Sequence, residues 1–339
     1  MKILFIDSKL SKSLAMMSGN GIIIKHNGKN IALDPTKSTD ADVVFVSHAH
    51  MDHLHIPSNG ENILTSHETV KIANTRGYHM LNVKESLDGF EMIDSGHILG
   101  SRGLLIDNEI FYTGDVCTRN RAFLQGAKIP KCDTLILEST YGKSEFKFPS
   151  IKKITENVNK IISDLYSKGI PIILIGYPLG KAQILTSMFK HWGPIYLHDS
   201  VYEMNHVYNE LGIDLGNSIS YSEAEEYNSL SKKPWLMVAP RMNSKSKFVT
   251  EMKNRYDAVT IGFTGWSLAN WYRYSSSLDY VLPLSDHCDF EELISIVKIC
   301  DPSKVYTFHG YSIELSIELN KLGYDAEPLI RQNYRLSDF

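Results

Sequence analysis

Ser47-His48-Ala49-His50-Met51-Asp52-His53 follows directly on the apolar run Val43-Val44-Phe45-Val46. A strand that ends in such a loop aims several nitrogen and oxygen donors into one small space. His48 and His50 are two residues apart and so lie on one side of an extended segment. Asp52 and His53 come where the chain turns, and can face a second position. Neutral imidazole and carboxylate suit zinc and similar first-row metals. A histidine-rich surface loop is the plainer reading. Further candidate ligands downstream, in order, argue against it.

The remaining donors are read from where they sit. His97 lies in Ser95-Gly96-His97-Ile98-Leu99-Gly100-Ser101, where small neighbours let backbone and ligand approach a metal closely. Asp115 follows the apolar run 110–113 in Thr113-Gly114-Asp115, and one carboxylate there can bridge two metals. His309 ends the late run 305–308 and is followed by Gly310. Asp34 ends the run 31–33 and is placed to hold a ligand histidine from behind.

Composition bounds the rest. The chain has 339 residues, enough for two domains or one large one, and 43% hydrophobic residues support a substantial core. A net charge of −4 gives no global basic field for nucleic acid, although a local groove can still be basic. Cys117, Cys132, Cys288 and Cys300 are scattered and form no C-x-x-C pair, which fits a reducing, cytoplasmic setting. Residues 1–7 read as a first strand, not a signal peptide, and no apolar stretch reaches membrane-spanning length.

Strand-like runs dominate the first third, at 21–25, 30–34, 42–47 and 109–113, then 133–138. From residue 150 the rhythm changes. Ile151, Ile154, Val158, Ile161, Ile162 and Leu165 recur at helical spacing, with Gly169 where a C-cap would sit. Strand 171–175, helix 181–192, strand 195–198 and helix 202–211 follow, an alternation that predicts an open parallel sheet. After a polar stretch at 217–233, strands are expected at 235–239, 259–263 and 280–284. The tail reads as helix 290–299, strand 304–308 and helix 312–322. Gly176-Tyr177-Pro178-Leu179-Gly180-Lys181 imitates a phosphate loop, but the spacing is one residue short. Ala182 stands where Ser or Thr is needed, and Pro178 removes an amide donor, so nucleotide hydrolysis is rejected.

The H-x-H-x-D-H pattern and the ordered donors after it resemble the metallo-β-lactamase fold. The likeness narrows at Leu135-Ile136-Leu137-Glu138-Ser139-Thr140-Tyr141-Gly142, at Tyr177-Pro178-Leu179-Gly180-Lys181-Ala182-Gln183, at Leu284-Ser285-Asp286-His287-Cys288-Asp289-Phe290 and at Phe308-His309-Gly310. These segments are similar to motifs of the β-CASP nucleases. Within that family the chain most resembles compact ligase-associated DNA exonucleases and archaeal mRNA 3′-end-processing-factor-like exonucleases. The insert is short for a polyadenylation-type nuclease, and no nucleic-acid-binding extension is read at either end.

The resemblance implies an α/β fold. A metallo-β-lactamase αββα sandwich would be formed by 1–142 and 285–339, with an inserted β-CASP-like domain at 143–284. It implies two zinc ions, with manganese as the alternative. His48, His50, His97 and Asp115 would hold one; Asp52, His53, Asp115 and His309 would hold the other. Asp52 would also orient the nucleophile, His287 would contact the scissile phosphate and serve as general acid, and Glu138 would hold His287 or a ligand in place. The site would lie in the cleft between the domains. Lys181, Arg241, Lys245, Trp266 and Arg273 are the expected grip on substrate, because cations interleaved with aromatics track a phosphate backbone and stack bases.

The reading is therefore a dinuclear-metal nuclease, expected to be an exonuclease, acting on single-stranded DNA or RNA away from membranes. Association with DNA-repair or RNA-processing enzymes is expected. The alternatives are a small-molecule thioester or lactone hydrolase of the same fold, and a catalytically dead nucleic-acid-binding scaffold. The first would lack the Leu-Gly-Lys-Ala-Gln and Ser-Asp-His-x-Asp segments. The second would have lost metal ligands.

Overall fold

A computed structural model describes residues 6–8, 11–18, 21–242, 244–275 and 278–329. Of the expected first strand, Met1 to Phe5 lie outside the described residues, and Ile6–Ser8 is a strand. The fold is mixed α/β, and contacts divide the chain into two compact units. The first comprises Met1–Thr118, Gly126–Lys143 and Phe290–Phe339; the second comprises Arg119–Gln125 and Ser144–Asp289. The expected boundaries lay at 142/143 and 284/285. The contact division falls one residue later at the first and five later at the second, and adds the short excursion 119–125.

The first unit is built on two sheets. One has seven strands in chain order: Ile6–Ser8, Ser11–Ser18, Gly21–His26, Lys29–Leu33, Val43–Phe45, Ile63–Leu64 and Val83–Lys84. It is antiparallel up to Lys29–Leu33 and parallel beyond. The other runs Ala326–Pro328, Lys304–Phe308, Thr134–Glu138, Ile110–Tyr112, Arg102–Ile106 and Phe90–Asp94. Gly21–His26 alternates, with Ile22, Ile24 and His26 buried, as a strand with one face on a core must. Those isoleucines pack in one cluster with Phe45, Leu104, Ile106, Tyr112, Ile136 and Phe308, so the two sheets share a core. Tyr112 is central to it. Its ring meets Phe45 edge-on at 6.2 Å and stacks on Phe308 at 5.3 Å.

The second unit has a six-stranded, wholly parallel sheet. Its order is Ser218–Ser220, Ile195–Leu197, Leu236–Pro240, Ile172–Gly176, Val259–Phe263, Tyr280–Leu282. Ile172–Gly176 is buried throughout, as a central strand covered on both faces requires. The helix expected from residue 150 spans Ile151–Tyr166, capped by Ser150 Oγ, which accepts from Lys153 N. It buries Ile154, Val158, Ile162 and Leu165. Gly169 adopts φ 67° just beyond its end, and its N–H donates to Tyr166 O.

The polar stretch 217–233 is not featureless. It holds strand Ser218–Ser220 and helix Tyr221–Glu226, whose few buried groups give too short a pattern to show in sequence. Helix Lys247–Tyr256 was also not foreseen; Val249, Met252 and Tyr256 are its buried stripe. Among the described residues no helix is long and apolar enough to cross a membrane.

Candidate metal centre

Every donor of the first unit reaches the site from a strand end. Val43–Phe45 is buried, and the chain leaves it extended through Ser47 to His50 before closing in a short 3-10 turn, Met51–His53. The turn is fixed by His53 N–H donating to His50 O at 3.1 Å. Asp115 comes off Ile110–Tyr112 through Gly114, which sits at φ 53°. A Cβ on Gly114 would fall 2.8 Å from Ser47 Cβ, so only glycine lets the two loops approach this closely. His309 leaves Lys304–Phe308 at φ 62°, a conformation unusual outside glycine. It is held there by Ser139, whose hydroxyl lies 2.7 Å from the Phe308 and His309 carbonyls.

The donor atoms converge. His50 Nδ1 is 3.0 Å from His48 Nε2 and 3.1 Å from His97 Nε2. Asp115 Oδ2 is 3.6 Å from His48 Nε2 and 3.5 Å from both His97 Nε2 and His53 Nε2. His309 Nδ1 is 3.9 Å from Asp115 Oδ1. Two groupings of ligand atoms therefore share one carboxylate: His48, His50, His97 with Asp115, and His53, His309 with Asp115.

These separations test whether a metal fits. Tetrahedral ligands about 2.0–2.1 Å from zinc stand roughly 3.4 Å apart. Three imidazole nitrogens turned on one another cannot all be satisfied by one shared proton, whereas a cation satisfies them together. His53 Nε2 is buried without a hydrogen-bond partner, as a ligand awaiting an ion would be. The residues fit a metal.

Asp34 stands behind this cluster. It accepts from Ser47 N–H at 2.6 Å, with Ser47 Oγ at 2.6 Å and Tyr112 Oη at 2.8 Å, and lies 2.7 Å from His53 Nδ1. Holding Nδ1 leaves Nε2 of His53 to face inward, which fixes the ring for ligation. Ser47 Oγ is also 2.8 Å from His48 Nδ1, so one serine steadies two rings. Burial alone would lower the His53 pKa, but the Asp115, Asp34 and Asp52 carboxylates push it up to about 10. The pocket favours a cation of some kind at this spot.

Asp52 is not drawn into either grouping. It is the middle residue of the 3-10 turn, with its side chain 78% exposed, 3.9 Å from His53 Nε2. Glu138 is fully buried. It accepts from Val116 N–H and Thr140 N–H, both at 3.0 Å, which pins the backbone next to Asp115. Tyr112, Ser47 and Ser139 went unnoticed in sequence, because a hydroxyl in a strand or just past its end has no ligand-like spacing to betray it.

The second unit carries the other expected residues. His287 is half-buried; its N–H donates to Ser285 Oγ, and its carbonyl accepts from Arg119. Lys181 runs against expectation. It is 2% exposed, and its ammonium donates to Leu284 O at 2.7 Å and Asp286 at 2.8 Å. A lysine buried and ion-paired in this way cannot grip substrate. Two cations of helix Lys247–Tyr256 are also engaged, Lys253 with Asp279 and Arg255 with Glu225 and Glu251. Arg241 is exposed, with its guanidinium over the Tyr177 ring at 5.2 Å and hydrogen-bonded to its hydroxyl. Lys245 is exposed. Trp266 packs on Phe146 and Trp271. Arg273 lies in helix Asn270–Ser275, and its side chain is outside the described residues. A cavity of about 380 Å³ opens at the ends of strands Leu236–Pro240, Ile172–Gly176 and Val259–Phe263, lined by Tyr177, Arg241, Thr264, Trp271 and Tyr272 among others.

No family model matches the chain. A curated "Probable DNA ligase" of Opitutus terrae is 27% identical over 305 residues, covering 85% of this chain but 29% of the ligase. "Probable RNase MJ4" of Methanocaldococcus jannaschii is 25% identical over 385 aligned positions, covering 88% of this chain and 89% of that protein. Among solved structures, a protein of unknown function from Enterococcus faecalis shares the fold. It has a TM-score of 0.60 at 14% identity, covering 95% of this chain and 97% of that one. The chain is similar to these proteins, and the motifs at His48 to His53, Glu138 and His309 carry its resemblance to the metallo-β-lactamase-fold β-CASP nucleases.

Proposed function

We propose that this chain is a metal-dependent phosphodiester hydrolase, an exonuclease of single-stranded DNA or RNA. The observation that carries it is the pair of donor groupings sharing Asp115. His48, His50, His97 and Asp115 would hold one ion, and His53, Asp115 and His309, with Asp52 alongside, the other. Zinc or manganese suits this nitrogen and oxygen set. When bound there, two such ions would supply an activated water at neutral pH and positive charge beside the phosphate oxygens.

The chain's own residues do the rest. Asp34 and Ser47 keep the His48 and His53 rings oriented. Glu138 fixes the turn that presents Asp115. Asp52, exposed at the turn, orients the attacking water, and His287 holds the proton for the leaving oxygen. We read the first unit as the metallo-β-lactamase sandwich and the second as the inserted β-CASP domain. In the second, the cavity beside Tyr177, Arg241 and Trp271 is the grip on the strand. It offers aromatic faces for bases and a guanidinium for phosphate at the carboxyl ends of parallel strands, where open α/β sheets bind ligands.

The ligase relative makes DNA the first substrate to try and the RNase makes RNA the second; association with repair or RNA-processing enzymes is part of the same reading. The test is cleavage of single-stranded DNA and RNA of one sequence, labelled in turn at each end, with zinc or manganese. Single-nucleotide products absent from an Asp52→Ala, His53→Ala variant are expected. A metal-loaded protein that cuts neither strand would overturn the proposal.

A further inference from the structure

Two of the four cysteines that look scattered in sequence meet in space. Cys132 precedes strand Thr134–Glu138, and Cys300 is the last residue of helix Phe290–Cys300. They are 168 positions apart, yet their sulfurs lie 3.0 Å from each other. Both are buried free thiols. Their backbones are joined as well, since Cys132 N–H donates to Cys300 O at 3.4 Å. A direct backbone hydrogen bond keeps the two Cα atoms within the range a disulfide spans, and bond formation needs the sulfurs to close by only about 1 Å. The frame is stiff. Ser303 N–H and Lys304 N–H both donate to Asp133 O, and Thr134 pairs with Lys304 in the sheet beyond.

The pair borders solvent through Cys132, which is 6% exposed, with Cys300 directly behind it. A surface cavity of about 540 Å³ is lined by Cys132 and Cys300 together with Glu91, Asn108, Lys131 and Asp301. Lys131, Asn108, Glu91 and Asp301 are exposed, so the cavity faces solvent. The two thiols are unequal: the hydrogen bond they share, with Lys131 nearby, holds Cys300 below the ordinary thiol range and raises Cys132.

We infer that Cys132 and Cys300 form a redox-active dithiol that low-molecular-weight disulfides oxidise to an intramolecular bond. Cys132, the thiol nearer solvent, loses its proton and attacks one sulfur of a small disulfide, such as oxidised glutathione, expelling the other half as a thiolate. The Cys300 thiolate then attacks Cys132 Sγ, releasing the second half. One sulfur–sulfur bond is broken and one made, and two electrons pass from the protein to the small disulfide. The product encloses all of Ser144–Asp289 in a covalent loop, fastening together the two segments of the first unit that flank it in sequence. Closing so long a loop restricts the unfolded chain and stabilises the fold.

The experiment needs no nuclease activity. The intact protein is equilibrated with reduced and oxidised glutathione at graded ratios, acid-quenched, alkylated and mapped by mass spectrometry, with thermal unfolding followed in parallel. A Cys132–Cys300 linked peptide is expected to appear as one two-electron transition while Cys117 and Cys288 stay alkylatable. The Tm should rise by roughly 5–10 °C and return on reduction. The Cys300→Ser variant should stop at a glutathione adduct on Cys132, and Cys132→Ser should form neither adduct nor link. A wild-type protein that stays fully alkylatable at the most oxidising ratio would overturn the inference. So would a link through Cys117 or Cys288, or an unchanged Tm in the linked form.

Discussion

The two units each bury a polar cluster, and the clusters are built on opposite principles. In the second unit Lys181 and Asp286 complete one another. The ammonium donates to a carboxylate and a carbonyl, and although burial works to raise the Asp286 pKa, Lys181, Arg121 and His287 hold it below the ordinary range. In the first unit three imidazole nitrogens point at one another at 3.0 and 3.1 Å, and His53 Nε2 has no hydrogen-bond partner. The first arrangement is finished without a ligand. The second leaves His53 Nε2 without a hydrogen-bond partner, and a cation would answer it together with the facing imidazoles. The difference separates a polar group that holds a fold from one that waits for chemistry, and burial alone does not make the distinction.

Breaking the ligand cluster should have the largest effect, and on function alone. Asp115→Ala removes the carboxylate common to both groupings. Activity on labelled single strands should fall on the order of 10³-fold or more, the several kcal/mol that metal assistance supplies. Metal content by mass spectrometry should fall with it. Circular dichroism and Tm should stay near wild type, because the variant relieves a crowded set of donors. A variant that unfolds would mean that Asp115 is a structural acid like Asp286.

Breaking the finished cluster should do the reverse. Lys181→Met leaves a buried carboxylate without its partner and should cost about 3–5 kcal/mol of stability, with bound metal per folded molecule unchanged. The sign of the pH dependence follows from Asp286. Its folded pKa is depressed, so its contribution is present above the unfolded value near 3.9 and is lost as pH falls through the lower folded one. Urea midpoints measured from pH 6 down to pH 2 should drop steeply below about pH 4. In the double variant Lys181→Met, Asp286→Leu that drop should flatten. An equally steep fall there would place the acid-sensitive group elsewhere.

The same contrast explains what could be read before the fold was known. Donors at His48, His50, His53, His97, Asp115 and His309 announce themselves because ligand chemistry restricts residue type and each follows an apolar strand. Helix Ile151–Tyr166 announces itself by period. Lys181 misled, because a lysine in a glycine-rich turn looks the same whether it faces solvent or Asp286, 105 positions away. Cys132 and Cys300 were hidden by their separation. The strands Ile63–Leu64 and Val83–Lys84 are two residues long, too short to carry any alternation. What sequence conceals here is long-range pairing between residues of ordinary type.

Asp34 lies between the two kinds of cluster. It is surrounded by partners like Asp286, but one of them is a ligand ring. Asp34→Asn should weaken metal binding by about 10–100-fold, read by competition with a chromophoric chelator, with little change in Tm. Tyr112→Phe is the finer cut and the smallest effect. It keeps the stack on Phe308 and the edge contact with Phe45 and deletes one hydroxyl among the groups around Asp34. The lost hydrogen bond to a carboxylate is worth about 1.5–3 kcal/mol. How that loss divides is informative. Ser47 N–H, Ser47 Oγ and His53 still surround Asp34, so the carboxylate stays in place and the loss should fall on Tm, with metal affinity lowered less than in Asp34→Asn. If Tyr112→Phe weakens the metal as much as Asp34→Asn does while Tm holds, then the hydroxyl sets the direction of the Asp34 carboxylate. The working site would then begin in the sheet core, one residue deeper than the ligands themselves.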